Sequence, residues 1–216
     1  MQEVFIKTIE ENSKAEIIEK KSKFIANIYH INSKKEAEDK INEVKKEYKD
    51  ARHNCFAFSV YEENQKYTKC SDDGEPSGTA GIPILNVINK NELTNILIVV
   101  TRYFGGILLG TGGLTRAYSG AAIEAVKKCT IITKQKGLKI KVEIDYQNSE
   151  DFKFYCTFNK INIEKIDYEE NVFYTIEISD EQYEKMFKIK NENKTVNSIN
   201  IISYVEICRK YVKKEE

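Results

Sequence analysis

The sequence predicts an α+β protein of two domains, and two observations lead to that prediction. Every glycine except Gly137, and both prolines, lie within residues 69–126, so this stretch contains loops of specific shape. After residues 130–138 the chain becomes an ordinary, strongly charged succession of strands and helices in the order βαββαβ, which is the ferredoxin-like arrangement. We therefore expect a glycine-rich N-terminal domain over residues 1–133 and a ferredoxin-like C-terminal domain over residues 134–216.

Size and charge limit the classes of function. A chain of 216 residues that is 41% hydrophobic is long enough and apolar enough to form two folded cores. Lys and Arg together number 34, as do Asp and Glu. The overall charge therefore does not support a strong, salt-driven nucleic-acid binder, although a local basic patch could still bind one. We expect no readout of DNA sequence.

The sequence also predicts a cytoplasmic protein. No basic segment followed by a long apolar run opens the chain, and no run of about 18 apolar residues could span a membrane. The cysteines lack the CxxC spacing of zinc sites, and their odd number argues against a disulfide framework. They are Cys55, Cys70, Cys129, Cys156 and Cys208. We expect no metal ion, no cofactor and no membrane partner.

The first domain is expected to begin with strands followed by an amphipathic helix. Segments rich in branched and aromatic residues predict strands, and these are residues 4–10, 15–19 and 23–29. Ser33 is typical of a helix N-cap, and Glu36 completes a capping box. Apolar residues then recur at helical spacing, which predicts a helix packed on a sheet. They are Ala37, Ile41, Val44 and Tyr48.

Strands and helices are expected to follow in both domains on the same criteria. In the first domain, strands are predicted over residues 54–61, 65–70 and 96–100, and helices over residues 80–88 and 113–128. In the second domain, strands are predicted over residues 138–145, 161–168, 172–179 and 199–207, and helices over residues 149–160 and 181–190. The second domain shows no cluster of catalytic side chains.

The second glycine-rich segment has the features of an anion site. Residues 105–111 have the outer spacing of a P-loop, but Thr111 stands where that motif needs lysine. Thr115 stands where a dinucleotide fingerprint needs glycine or alanine, so we reject both motifs. What remains is a glycine-rich turn before a helix, which exposes backbone N–H groups to an anion between two arginines. The candidate residues are Arg102, Gly105, Gly106, Gly110, Thr111, Gly112, Gly113 and Arg116.

A structural interpretation of the same segment remains open. The glycines would then serve tight packing, and the arginines would be ion-paired. In either interpretation we expect Gly112 and Gly113 to need a positive φ or a close backbone approach, so that a branched residue there would damage the domain.

The first glycine-rich segment carries Asp72, Asp73 and Glu75. These carboxylates could ligate Mg²⁺ or act as acid and base. They could equally bond nearby backbone groups in turns and caps, which is the interpretation we favour. Arg52 and His53 are accessory candidates. His53 and Cys55 are two residues apart on a strand and face the same way, so a Cys–His pair stays open beside the commoner structural histidine.

Topology predicts that the acidic residues and the arginines meet. The strand over residues 65–70 leads to the acidic loop, and the strand over residues 96–100 leads to Arg102, with a helix between them. Parallel neighbours in such a unit end at the same edge of the sheet. If Asp73 and its neighbours merely neutralise the arginines, loss of Arg102 is expected to destabilise the fold and loss of Asp73 to compensate in part. If the region binds a ligand, loss of Arg102 is expected to weaken binding.

Three long motifs closely resemble those of the YigZ/IMPACT family. They are residues 52–55 (Arg-His-Asn-Cys), 71–83 and 100–106, and residues 110–122 fit the same family. The resemblance implies an N-terminal domain like domain 2 of ribosomal protein S5 and the ferredoxin-like second domain of the bacterial branch. In the eukaryotic branch, the family member inhibits activation of a stress-responsive translation-initiation kinase by competing for its activator protein.

We therefore expect a translation-associated regulatory factor without enzymatic activity. Its partners would be the ribosome, RNA or a translation-linked protein. The alternative is a Mg²⁺-dependent hydrolase or transferase in which the acidic residues hold the metal and the glycine loop holds a phosphorylated ligand. A broad basic face around the site favours the first hypothesis, and a bound divalent ion favours the second.

Overall fold

The computed structural model describes residues 5–62, 65–190 and 200–211, and it confirms the mixed α+β class. The predicted strand ends at residues 4 and 199, and part of the turn at residues 62–64, lie outside the described residues. The chain divides into two compact units, which we call the N-terminal unit (residues 6–132) and the C-terminal unit (residues 1–5 and 133–216). None of the described helices is long and apolar enough to cross a membrane.

The elements follow one another in the order β1 (Phe5–Ile9), β2 (Ser13–Glu19), β3 (Ser22–His30), α1 (Lys34–Glu47), β4 (His53–Glu62), β5 (Gln65–Ser71), α2 (Gly81–Lys90), β6 (Ile96–Tyr103), α3 (Gly110–Lys127), β7 (Ile131–Ile144), α4 (Tyr146–Phe158), β8 (Asn162–Tyr168), β9 (Val172–Ser179), α5 (Asp180–Lys190) and β10 (Asn200–Tyr211).

The N-terminal unit is built on an antiparallel sheet with the strand order β2-β3-β6-β4-β5. Strand β6 lies at its centre, and successive side chains of β6 enter cores on opposite faces. Ile98 and Val100 pack with residues of α2 and α3, whereas Leu97 and Val99 pack with residues of α1. Because helices cover both faces, β6 is an unbroken run of branched residues instead of an alternating one.

Helix α1 begins where the sequence predicts. Ser33 is the N-cap, and its Oγ accepts a hydrogen bond from the Glu36 N–H at 3.1 Å. The Glu36 carboxylate in turn accepts from the N–H of Asn32 at 2.7 Å. The return bond of the predicted capping box is therefore made to the residue before the N-cap.

Strands β5 and β6 are not neighbours, so their predicted parallel pairing is wrong. Strand β4 lies between them and is antiparallel to both, which leaves β5 and β6 running in the same direction. Phe56 of β4 is opposite Ser71 on β5 and Val99 on β6. The C-terminal ends of β5 and β6 therefore lie where β4 begins. We call this end of the sheet, with the loops that leave it, the site edge.

Helix α3 begins three residues before its predicted start, at Gly110. Gly112 and Gly113 therefore lie inside its first turn, and neither has a positive φ. A Cβ on Gly112 would lie 3.6 Å from the far end of the Arg116 side chain, which is an ordinary contact. A Cβ on Gly113 would lie 2.9 Å from the Cβ of Leu109. Of the two alternatives expected for these glycines, a positive φ occurs at neither position, and a close neighbour occurs only at Gly113.

Close backbone approach occurs instead at Gly105. A Cβ there would lie 2.0 Å from the carbonyl group of Lys21. The Gly105 N–H also donates to Ser22 Oγ at 3.1 Å. Glycine at this position therefore allows the loop after β6 to pack directly against the turn between β2 and β3.

The C-terminal unit has the element order β7-α4-β8-β9-α5-β10. Its strands pair antiparallel in the order β8-β9-β7-β10, which is the ferredoxin-like arrangement. Alternate side chains of β9 enter a core that includes Phe152 of α4 and Met186 of α5. The lysine-rich segment that was predicted to separate the domains, residues 130–138, lies largely within β7.

The two kinds of glycine predict opposite effects of adding a methyl group. We expect Gly105→Ala to destabilise the N-terminal unit by about 1–3 kcal/mol, because the new Cβ overlaps backbone atoms of Lys21. Gly112→Ala is the matched control and is expected to be neutral or stabilising by up to about 1 kcal/mol, because alanine favours a helix. Urea unfolding of both variants measures the difference. Equal losses of stability would contradict this account of the loops.

Candidate functional site

The acidic loop, residues 71–79, is held in shape by its own first carboxylate. Asp72 accepts hydrogen bonds from the N–H groups of Gly78, Ala80 and Gly81 at 2.8–2.9 Å. Helix α2 has no side-chain cap at its own N-cap residue, Ala80. Asp72 therefore caps this helix from eight residues earlier in the chain.

The pKa of Asp72 reflects these bonds. Burial by itself raises the pKa of this carboxyl group, but the three backbone N–H donors together lower it further than burial raises it. The net pKa lies below the usual value of an aspartate, so the folded loop stabilises the charged form.

Asp73 ties the acidic loop to β4 and α1. One carboxylate oxygen accepts from the Asn54 N–H at 2.7 Å, and the other lies 2.6 Å from Lys45 Nζ. Asp73 itself has a φ of 42°, a conformation that L-residues seldom adopt. The bonds of its side chain hold the backbone in this conformation.

His53 and Cys55 bond the acidic loop instead of each other. The Nδ1 of His53 donates to the Asp73 carbonyl at 2.9 Å, and the Cys55 thiol donates to the Asp72 carbonyl at 2.9 Å. The Cys–His pair that the sequence left open does not form. Burial raises the pKa of Cys55 to about 12, so this thiol stays protonated at neutral pH.

Glu75 forms a buried ion pair with Arg102. Its Oε1 accepts from Arg102 Nη1 at 2.7 Å and from the Tyr118 hydroxyl at 2.8 Å. The two charged side chains are only 3% and 8% exposed. Burial raises the pKa of Tyr118 far above its ordinary value, so the phenol remains a donor. The acidic loop and Arg102 therefore meet as predicted, but through Glu75 and not through Asp73.

The ion pair changes the expected role of Arg102. The sequence predicted that Arg102 would offer its positive charge to an anion. In the structure, the carboxylate of Glu75 already pairs with that charge. The guanidinium carbon also lies 5.5 Å from the ring centre of Phe24 and 5.6 Å from that of Phe104, within cation–π distance. Its Nε is buried and has no hydrogen-bond partner among the described residues.

A cleft of about 580 Å³ opens beside Arg102 at the site edge. The lining residues are Asp50, Arg52, His53, Arg102, Tyr103, Phe104 and Leu108. The Tyr103 hydroxyl donates to Asp50 Oδ1 at 2.8 Å and so fixes the acidic side chain in the lining. The cleft therefore combines basic groups with aromatic and aliphatic surface.

The apolar half of this cleft was missed from the sequence. Phe104 is 54% exposed and Leu108 is 83% exposed, and Ile107 between them is also exposed. These residues belong to the loop that joins β6 to α3. The sequence did contain a signal for this wall, namely three large apolar side chains in a loop rich in glycine. Such side chains are normally buried, so their position in a surface loop indicates a binding surface.

The structure separates the predicted glycine-loop residues into two groups. Gly105 and Gly106 belong to the loop that carries Phe104 into the cleft lining. The others lie on the first two turns of α3 and do not line the cleft. They are Gly110, Thr111, Gly112, Gly113 and Arg116.

Several cations at the site edge have no acidic partner. Lys20 and Lys21 lie in the turn between β2 and β3, Arg52 precedes β4, and Arg116 lies near the start of α3. All four are exposed, and within the described part of the chain none forms an ion pair. The site edge therefore presents positive charge to solvent.

These features define a two-unit α+β protein with a basic, aromatic-lined cleft at one end of a sheet. The Impact N-terminal domain matches residues 20–126. The IMPACT family member YvyE of Bacillus subtilis is 32% identical over 97% of this chain and 97% of its own length. YigZ of Escherichia coli is 38% identical over 59% of this chain and 63% of its own length. The chain belongs to the IMPACT family.

One solved structure has a similar fold. The crystal structure of a hypothetical protein, 28% identical in sequence, matches with a TM-score of 0.63. The match covers 94% of this chain and 98% of that chain. Both units therefore take part in the likeness.

The buried ion pair predicts strong coupling between its partners. Glu75→Gln and Arg102→Met are each expected to lower the free energy of unfolding by about 3–5 kcal/mol, because each leaves a buried charge unpaired. The double variant should lose much less than the sum, whereas Asp73→Ala should not rescue Arg102→Met. Glu124→Gln, in an exposed pair with Lys127, is the control and should cost less than about 1 kcal/mol. Urea unfolding tests this, and additive losses would refute the coupling.

The lowered pKa of Asp72 predicts a pH-dependent contribution to stability. The charged carboxylate stabilises the fold above the unfolded pKa of about 3.9, and this contribution is lost as the pH falls through the lower folded pKa. Asp72→Asn is therefore expected to be less stable than the parent by about 2 kcal/mol at pH 7, with the gap closing below about pH 4. Thermal unfolding across this range measures the gap. The exposed Asp39→Asn control should show no such gap, and a gap for Asp72→Asn that is constant with pH would contradict the capping role.

Proposed function

We propose that this chain is a translation-associated regulatory factor that contacts the ribosome, RNA or a translation-linked protein through its site edge. Membership of the IMPACT family supports the link to translation, because the eukaryotic branch acts on activation of a translation-initiation kinase. The proposed contact residues are Arg52, His53 and Arg116, with Arg102 supporting them from the buried side. We place the protein in the cytoplasm, where such partners reside.

The observation that carries this proposal is the local charge of the site edge. The chain has 34 basic and 34 acidic residues, so its net charge attracts no particular partner. At this edge, however, the three acidic-loop carboxylates face inward onto Arg102, Lys45 and backbone N–H groups. Exposed lysines and arginines are left facing solvent, and such a patch attracts phosphate or an acidic surface.

The alternative of a Mg²⁺-dependent enzyme gains no support from the acidic loop. Asp72 and Asp73 are engaged by backbone and lysine donors, and Glu75 is buried against Arg102. Among the residues that the structure describes, no group of three or more His, Cys, Asp and Glu side chains is placed to hold a metal ion. These three carboxylates therefore shape the loop, and each already accepts hydrogen bonds from the protein itself.

Ribosome co-sedimentation from cell lysate tests the proposal. The Arg52→Ala/Arg116→Ala variant is expected to lower the bound fraction at least about fivefold at low salt, with a smaller effect at higher salt, because two exposed cations are lost. The control is Lys35→Ala/Lys90→Ala, which removes two exposed lysines at the opposite end of the sheet and should bind like the parent. Equal binding by both variants, or equal loss, would refute a role for the site edge.

A further inference from the structure

We infer that the cleft beside Arg102 binds one nucleotide unit, either as a free nucleotide or as part of a single-stranded RNA. This inference rests on the proposed role of the site edge and specifies the ligand of that edge. The phosphate lies against Arg52, and the base stacks on Phe104. The cleft of about 580 Å³ is within the usual range for sites that enclose one small ligand.

The basic wall provides the phosphate contacts. Arg52 is exposed and forms no ion pair with a described residue, so its guanidinium is available for paired hydrogen bonds to phosphate oxygens. His53 uses Nδ1 to bond the acidic loop, which leaves Nε2 for a ligand. Arg102 also lines the cleft, and its side chain is more than nine-tenths buried with Nε unpartnered. An unmet buried donor is costly. This Nε is closed to solvent, so an acceptor oxygen in the cleft reaches it only when the Arg102 side chain shifts.

The aromatic wall provides the surface for the base. The Phe104 ring lies 5.6 Å from the guanidinium carbon of Arg102, yet more than half of the side chain remains exposed. Tyr103 and Leu108 extend the same wall. Aromatic rings beside arginines are the surfaces on which proteins stack single-stranded bases.

Asp50 favours a nucleotide over an acidic peptide. Its carboxylate stands among the cations of the lining and is fixed by the hydroxyl of Tyr103. Its negative charge repels a phosphate and the carboxylates of an acidic segment alike, but those carboxylates offer Asp50 no hydrogen-bond donor. The same carboxylate can accept hydrogen bonds from a ribose hydroxyl or a base amino group.

The loop that carries Phe104 is already ordered for binding. Gly105 packs against the backbone of Lys21, and its N–H is bonded to Ser22. The neighbouring Gly106 holds a φ of 84° with open space around it. Because the aromatic wall does not have to be ordered on binding, little entropy is lost there.

Fluorescence anisotropy with a labelled single-stranded RNA of about six nucleotides tests the site. Phe104→Leu, which keeps an apolar side chain but removes the ring, is expected to weaken binding at least about fivefold, and Phe104→Trp to retain it. Arg52→Ala should weaken binding and reduce the magnitude of the negative slope of log K against log salt by about 0.7. Ile123→Ala and Lys90→Ala remove an exposed apolar group and an exposed charge elsewhere, and both should bind like the parent.

Competition with uridine and adenosine monophosphates distinguishes the two sources of the ligand. If the monophosphates displace the RNA, the cleft binds free nucleotides. If the RNA binds and the monophosphates do not displace it, the cleft binds a nucleotide only within a strand. Either result supports the inference that the cleft holds one nucleotide unit. Melting temperatures of the variants check that they fold. Should Phe104→Leu melt early, Leu108→Ser at the same wall provides the second test, with an expected weakening of about twofold or more.

An RNA affinity that is unchanged in a folded Phe104→Leu or Leu108→Ser variant overturns the nucleotide site. Tighter binding of polyglutamate than of RNA overturns it as well, because polyglutamate side chains have neither a base to stack on Phe104 nor a hydrogen-bond donor for Asp50. If ribosome co-sedimentation still depends on Arg52 and Arg116 in either case, the proposed function stands and the contact is made by charge alone. If co-sedimentation does not depend on Arg52 and Arg116 either, the proposed function is refuted as well, on independent evidence.

Discussion

The buried ion pair between Glu75 and Arg102 is the interaction on which the candidate site depends. Removing two charges from water is costly, and their mutual attraction offsets that cost only when further polar or aromatic neighbours also engage them. Glu75 therefore accepts from both Arg102 and Tyr118, while Arg102 also lies against two aromatic rings. The pair joins the loop after β5 to the end of β6, two segments separated by strand β4. The position of the cleft wall follows from that connection.

Carboxylates and cations are used differently at this edge. Short acidic side chains reach nearby backbone N–H groups, so Asp72 and Asp73 turn inward to cap a helix and hold a turn. The long side chains of Lys20, Lys21, Arg52 and Arg116 instead extend into solvent. A chain of zero net charge can therefore present a basic surface locally, and the acidic loop is what shapes that surface.

One glycine brings the basic and apolar halves of the site together. Gly105 lets the loop after β6 touch the backbone of the turn that carries Lys20 and Lys21. With any larger residue the loop would have to move away from that turn, and the exposed Phe104 would move with it. Tight backbone packing in the N-terminal unit thus determines which charges border the aromatic wall.

Local signals in the sequence determined most of the secondary structure. Ser33 and Glu36 marked the start of α1, and the run of branched residues marked β6 as a strand covered on both faces, because these signals act over a few neighbouring residues. The motifs also identified the family. Tertiary structure alone decided the rest. Asp72, Asp73 and Glu75 lie within four residues, and the sequence does not show which of them pairs with Arg102. The folded loop decides it, because Asp72 and Asp73 bond backbone N–H groups and Glu75 is the one buried against Arg102. Likewise, Gly105 and Gly112 are the same residue type, and their roles differ because one meets the backbone of a distant turn and the other lies within a helix.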